Sequence, residues 1–191
     1  MNVAEVFRRI TSALDEASIP YMLTGSFASA YHGAARATQD LDFVIAPTPA
    51  QLRTLVSLLP SKEYYVDLEA ALEACRRESL FNVVDLETGW KIDFIIRKSR
   101  AFSQEEFRRR QPVQVQGAPL FVVSAEDAII SKLEWAKLAQ SQRQIEDAAA
   151  ILRMQWDALD RTYLQKWIGE LGLTAEWNTA RSMADVQKHQ G

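Results

Sequence analysis

The chain has 191 residues, 48% of them hydrophobic and 25% charged, which suits one globular domain with a real core, or one domain and a small helical extension. A net charge of −3 argues against whole-surface attraction to nucleic acid or anionic membrane, while leaving room for a local basic patch. The single Cys75 excludes an internal disulfide and a Cys-rich zinc site, and it fits a reducing cytoplasm.

The opening residues, MNVAEVFRRI, lack the charged-then-apolar order of a signal peptide. No apolar run approaches the ~18 residues that a membrane span needs. Val3, Val6, Phe7, Ile10, Leu14 and Ala17 recur at helical spacing, so residues 3–18 read as an amphipathic helix. Pro20 ends it, and residues 21–24 read as a short buried strand. Gly25 supplies a turn, and Ser26 is placed to cap a short helix through Tyr31 that Gly33 closes. A loop over 34–39 leads into a strand over 40–46. There Leu41, Phe43 and Ile45 face one way, and Asp40, Asp42 and Val44 the other.

Pro47-Thr48-Pro49 starts a helix, with Thr48 as its cap and Pro49 in the first turn, running to about Leu59. Residues 67–78 form a second helical pattern. Residues 81–86 and 90–96 read as a hairpin across Glu87-Thr88-Gly89. In its second arm Lys91, Asp93 and Ile95 share a face. Ser103-Gln-Glu-Glu106 has the form of a capping box opening a short basic helix. Residues 113–115 and 120–123 flank a Gly-containing turn. Ser124 then caps a helix over 125–139, followed by helices near 143–155, 160–170 and 174–188. The expected architecture is α/β, a small mixed sheet flanked by helices, with a helical C-terminal part. The expected division is a core over 1–123 and helices packed on it over 124–191.

Asp40 and Asp42 lie two apart in a strand, so both point to one face. Like charges so close repel unless a cation neutralises them. Taken alone they could be solvated acids at a strand end. Asp93, inside an otherwise apolar strand, shifts that balance, because a buried unpaired carboxylate is costly. Three strand acids meeting in one cleft suit one or two Mg²⁺ ions, which take hard oxygen ligands and keep positions open for phosphate. A Gly25-Ser26 turn feeding a helix offers backbone N–H groups to an anion.

Gly25-Ser26, Asp40-x-Asp42 and the later Asp93 resemble the pattern of the DNA polymerase β-type nucleotidyltransferase superfamily. The fuller stretch GSFASAYHGAARATQDLDFVI is similar to one branch, the nucleotidyltransferase-like toxin component of abortive-infection (type IV) toxin–antitoxin systems. The likeness continues through Asp127–Trp135, Ser141–Asp147 and Leu159–Trp167. It implies that Gly25 and Ser26 hold the β- and γ-phosphates of an NTP such as ATP. Asp40 and Asp42 would ligate Mg²⁺, with Mn²⁺ as the alternative ion. Asp93 would join a second metal and act as general base. Arg36 and Thr38, just before the acids, would contact phosphate or base. Lys132 matches the family's phosphate lysine, against an exposed helix face as the plain reading. Arg143 and Asp147 match a later motif, against a simple i, i+4 helix pair.

The resemblance therefore implies a nucleotidyltransferase, moving an NMP from an NTP to a hydroxyl. The acceptor would be an RNA 3′ end such as tRNA, a protein hydroxyl or a small antibiotic-type molecule, and a cognate antitoxin is an expected partner. A non-catalytic nucleotide- or partner-binding module on the same fold is the alternative. With two histidines and one cysteine there is no triad or zinc cluster. The five tryptophans are expected mostly in helix cores. The basic runs Arg97-Lys98-Ser-Arg100 and Arg108-Arg109-Arg110 are expected as solvated charge.

Overall fold

Residues 3–34, 37–115 and 117–185 are described by the computed structural model. They divide into two compact units, one of residues 1–27 and 37–123, the other of residues 28–36 and 124–191.

The first unit is built on a mixed seven-stranded sheet. The chain enters it through α1 (Val3–Glu16), whose Val6, Phe7, Ile10 and Leu14 are fully buried. Strand β1 (Tyr21–Thr24) pairs antiparallel with β2 (Asp40–Ile45). Strand β2 pairs parallel with β5 (Lys91–Ile96). Outside β5 lie β4 (Leu80–Asp85) and the edge strand β3 (Tyr64–Val66). On the other side, β7 (Ala118–Val122) runs parallel to β1 and carries β6 (Gln111–Val115) at the far edge. The order is β3-β4-β5-β2-β1-β7-β6.

The alternation in β2 and β5 behaves as the sequence predicts. Leu41, Phe43, Ile45, Ile92, Phe94 and Ile96 are buried together. Phe7, Phe43, Phe94 and Phe81 form a chain of ring contacts with centroids 5.3–6.4 Å apart, each such pair adding about 1 kcal/mol beyond its burial. Asp42, Val44, Lys91, Asp93 and Ile95 lie on the opposite, half-exposed face.

Helix α3 (Pro49–Ser57) starts with Thr48 as cap and Pro49 in its first turn, and Gln51 completes a reciprocal capping box. Helix α4 (Leu68–Arg77) is capped by Asp67. Helix α5 (Ala101–Arg108) departs from expectation: it begins two residues before Ser103. Phe102 and Phe107 are both buried, so the first turn is drawn in to place Phe102 against the core. Ser103 then sits inside the helix and accepts from Arg100 Nε at 2.9 Å. Strand β3 has no counterpart in the sequence pattern, because three residues after a proline turn give no measurable period.

The second unit is helical. Helix α6 (Ala125–Ala139) starts at Ser124, whose Oγ accepts the Asp127 N–H. Helix α7 (Gln142–Gln155) packs against α6 and against α9 (Thr174–Ala184), with α8 (Arg161–Glu170) between them in sequence. The sequence pattern extends the last helix to 188; positions past 185 lie outside the described residues. Tyr163 donates to Asp127 Oδ1 at 2.6 Å, and Ser124 donates to Asp127 Oδ2 at 2.7 Å. Buried Glu126 accepts the Asp160 N–H at the start of α8. The helix that joins strands β1 and β2, α2 (Gly25–Tyr31), contributes residues to both units. Among the described residues no helix is long and apolar enough to cross a membrane.

Tyr21 makes the first unit sensitive to alkali. Burial, then the nearby Asp15 carboxylate, pushes its hydroxyl up to about 12. The folded chain holds that proton more tightly than the unfolded chain. Stability is therefore intact below the ordinary tyrosine value of 10.0 and declines as pH rises from there through the folded value. Urea midpoints measured across that range are expected to fall, and Tyr21→Phe to flatten the fall. An unchanged slope in Tyr21→Phe would contradict this.

Candidate active site

The candidate site forms where β1 runs into α2. Thr24 stands opposite Asp42 in the ladder, and the chain then turns at Gly25 with φ of 64°. A side chain at Gly25 would overlap the Asp42 carboxylate. Only glycine allows the turn to approach the acid so closely. Ser26 follows, buried, in the first turn of α2.

The parallel ladder between β2 and β5 sets the acids. Asp42 is the register partner of Asp93, and Asp40 of Lys91. On the other side of β5, Asn82 of β4 is the partner of Asp93. All five side chains therefore belong to one face. Thr38 supports the start of β2, its Oγ accepting the Asp40 N–H at 3.2 Å. Arg36 lies outside the described residues.

Asp93 is engaged on both oxygens. Lys91 Nζ donates to Oδ2 at 2.9 Å, and Asn82 Nδ2 donates to Oδ1. The hydrogen bond to Asp93 raises the Lys91 ammonium above the ordinary lysine value, against a lowering by desolvation, with the charges of Asp93, Asp40 and Asp42 adding to the rise. Lys91 is thus a built-in cation among the three acids.

The donor set fits a divalent ion in kind, since it consists of carboxylates on one sheet face beside a backbone turn. Among the described residues no three Asp, Glu, His or Cys side chains converge closely enough to hold an ion. The arrangement seen has Asp93 turned to Lys91 and Asn82 instead. A divalent ion held by all three acids would require Asp93 to leave Lys91. Lys91→Met is therefore expected to tighten Mn²⁺ binding about two- to fivefold, the range for removing an exposed ion pair that competes with the metal. Electron paramagnetic resonance titration reads it directly. Unchanged or weaker binding would contradict a competing role.

The second unit carries the other sequence-predicted residues. Lys132 and Asp147 are both buried, and Lys132 Nζ donates to Asp147 Oδ2 at 2.8 Å. Arg143 is exposed in the first turn of α7. The i, i+4 pair that is the plain reading of Arg143 and Asp147 gives way to a link between two helices, from Lys132 to Asp147. Two residues that the sequence pattern did not single out, Lys91 and Asn82, frame Asp93. Trp90 lies next to Lys91, half-buried, with its ring 5.7 Å from that of Phe27 in α2. It is not in a helix core, and Trp135 is 55% exposed. The signal shared by Asn82 and Lys91 is register: both alternate in phase with Asp93.

Several solved structures share this fold. The solution structure of the antibiotic-resistance factor ANT(2'')-Ia matches with a TM-score of 0.60 at 14% identity, over 92% of this chain and 94% of that one. The crystal structure of ANT(2'')-Ia in complex with adenylyl-2''-tobramycin matches with a TM-score of 0.51, also at 14% identity, over 97% and 98%. An antigenic nucleotidyltransferase-like protein from Paracoccidioides brasiliensis matches with a TM-score of 0.52 at 16% identity, over 89% and 90%. No curated protein matches the sequence. A family model described as "Nucleotidyltransferase of unknown function (DUF6036)" matches residues 1–181, and the chain belongs to that family.

Proposed function

We propose that the chain transfers an NMP from an NTP to an acceptor hydroxyl, with Mg²⁺ held by Asp40, Asp42 and Asp93. The observation that carries this reading is the register of Asp42 beside Asp93, with Asp40 on the same face and Gly25 against the Asp42 carboxylate. Bound Mg²⁺ supplies stabilisation of the attacking and leaving oxygens in an in-line displacement. The Gly25–Ser26 turn orients the β- and γ-phosphates through backbone N–H groups and the Ser26 hydroxyl. Asp93, once released by Lys91, accepts the proton of the acceptor hydroxyl. The hydroxyl oxygen bonds to the α-phosphorus while the bond to the bridging oxygen breaks, and pyrophosphate leaves with the electron pair. Thr38 steadies the start of β2, and Arg36 serves phosphate or base. Lys132, Arg143 and Asp147 belong to a nucleotide-binding role of the helical part over 124–191.

On this reading the protein acts in the cytoplasm, RNA is the first acceptor to try, and the chain is the toxin of a toxin–antitoxin pair. The likeness of its Arg-x-Thr-x-Asp-x-Asp stretch to that branch supports both. A second reading takes a small antibiotic-type acceptor. It is favoured by the match in fold and length to ANT(2'')-Ia, whose structure holds adenylyl-2''-tobramycin. Incubation with each labelled NTP, Mg²⁺ and either total RNA or an aminoglycoside panel separates the two. Label on RNA supports the first and label on an aminoglycoside the second. Tight NTP binding by calorimetry without product on either acceptor or in a whole-cell extract would point to a non-catalytic binding module.

A further inference from the structure

The two basic runs at residues 97–100 and 108–110 are distant in sequence and read there as separate solvated charge. The structure brings one member of each onto the same ring. The Arg97 guanidinium lies 5.5 Å and the Arg110 guanidinium 4.5 Å from the centre of the Phe107 ring. Arg110 also lies 5.1 Å from the centre of Phe121, a partly exposed ring of β7. Phe107 itself is buried, so the stacking holds both planar groups in place.

Among the described residues neither cation is paired with a carboxylate. The hydrogen bond that Arg110 makes is donated from Nη1 to the Phe107 carbonyl at 2.8 Å. The Nε groups of both arginines are buried and have no hydrogen-bond partner among the described residues. The neighbouring basic residues differ: Arg108 is paired with Glu105, and Arg100 donates to Ser103. Glu78, whose carboxylate feels the charges of Lys98 and Arg97, gives its oxygen to the N–H and hydroxyl of Ser99. Desolvation, then the charge of Arg97, lowers the Arg110 guanidinium from its ordinary value. Two half-buried like charges that are not ion-paired among the described residues repel each other, and a bound anion relieves that cost.

The position of the pair matters. The Arg97 N–H bonds to the Ile45 carbonyl, which extends the β2–β5 ladder by one step. Alternation then puts Arg97 on the same sheet face as Asp93, four residues and about 13 Å along the strand. An oxyanion held there and a hydroxyl presented to Asp93 would belong to one extended ligand.

We propose that Arg97 and Arg110 form a phosphate-binding site for the acceptor, separate from the Gly25–Ser26 turn. This rests on the nucleotidyl-transfer reading and deepens it: the acceptor carries phosphate, as a nucleic-acid backbone or a phosphorylated small molecule, and is not a polycationic antibiotic. The planar guanidinium fork suits phosphate oxygens.

Binding is measured without NTP or divalent metal, so the result is independent of whether transfer occurs. The probes are a short fluorescein-labelled single-stranded RNA, read by anisotropy across a salt series, and inorganic pyrophosphate, read by calorimetry. Arg97→Gln/Arg110→Gln is expected to weaken RNA binding about tenfold or more. The slope of log affinity against log salt should become shallower by about 0.7 for each phosphate no longer neutralised. Arg76→Gln, at a paired surface arginine of α4, should bind as the wild type does. Wild-type binding of pyrophosphate but not RNA, abolished in the double variant, assigns the site to a small phosphorylated acceptor. Equal binding of both probes by wild type and double variant overturns the proposal. Thermal melting checks folding; if the double variant is unfolded, Arg97→Gln alone decides by the same criterion.

Discussion

Asp42→Asn is expected to lower NMP transfer by about a thousandfold or more while leaving the fold intact. The side chain keeps its size and sits half-buried on the open sheet face, so few core contacts change. What changes is charge at the point where Asp42 meets both the Gly25 turn and Asp93. Removing one carboxylate from a metal–phosphate site forfeits several kcal/mol of transition-state stabilisation, and each 1.36 kcal/mol is about a factor of ten. Asp40→Asn should show the same loss. Gly25→Ala should behave as a positional counterpart: the added methyl overlaps the Asp42 carboxylate and the residue is held at positive φ. Single-turnover assays with circular dichroism as a fold check read all three. Normal turnover in folded Asp42→Asn would remove the proposed metal role.

The second large effect is on stability. Asp147→Ala is expected to destabilise the helical unit by about 3–5 kcal/mol, the range for breaking a buried ion pair from one side. Lys132 is 7% exposed, and its ammonium hydrogen-bonds to Asp147. Loss of the carboxylate strands a buried charge. Lys132→Met/Asp147→Leu, which removes both charges, should recover most of the loss. Chemical denaturation gives the measure. A single-variant cost below about 1 kcal/mol would mean that solvent reaches the ammonium freely. The same pair bears on the nucleotide-binding role proposed for Lys132: an ammonium committed to Asp147 must exchange partners to reach phosphate.

Much of the first unit is legible in the chain itself. Alternation in 40–46 and 90–96 assigns the buried and open faces, because strand side chains obey a fixed two-residue period. Thr48-Pro49 and Ser124 announce helix starts, because capping is local chemistry. Gly25 is readable as a turn, although its approach to Asp42 is not. The features that escape the sequence share a cause: they depend on which distant segments become neighbours. That Asn82 and Lys91 hold Asp93 follows from register across the β2–β5 and β4–β5 ladders. Lys132 finding Asp147, while Arg143 stays exposed, follows from how α6 packs on α7. Ser103 has the local form of a cap, but burial of Phe102 starts the helix earlier. The shared Phe107 ring beneath Arg97 and Arg110 lies between two basic runs that look independent in sequence.

The central claim is nucleotidyl transfer at the acids of the first unit. Its most direct measurement compares NTP labelled at the α-phosphate with NTP labelled at the γ-phosphate, each with Mg²⁺ and cell extract, for wild type and Asp42→Asn. Covalent label from the α-position only, abolished by chelation and by Asp42→Asn, is the predicted result. Label arriving from the γ-position, or α-label that persists in Asp42→Asn, would contradict the account.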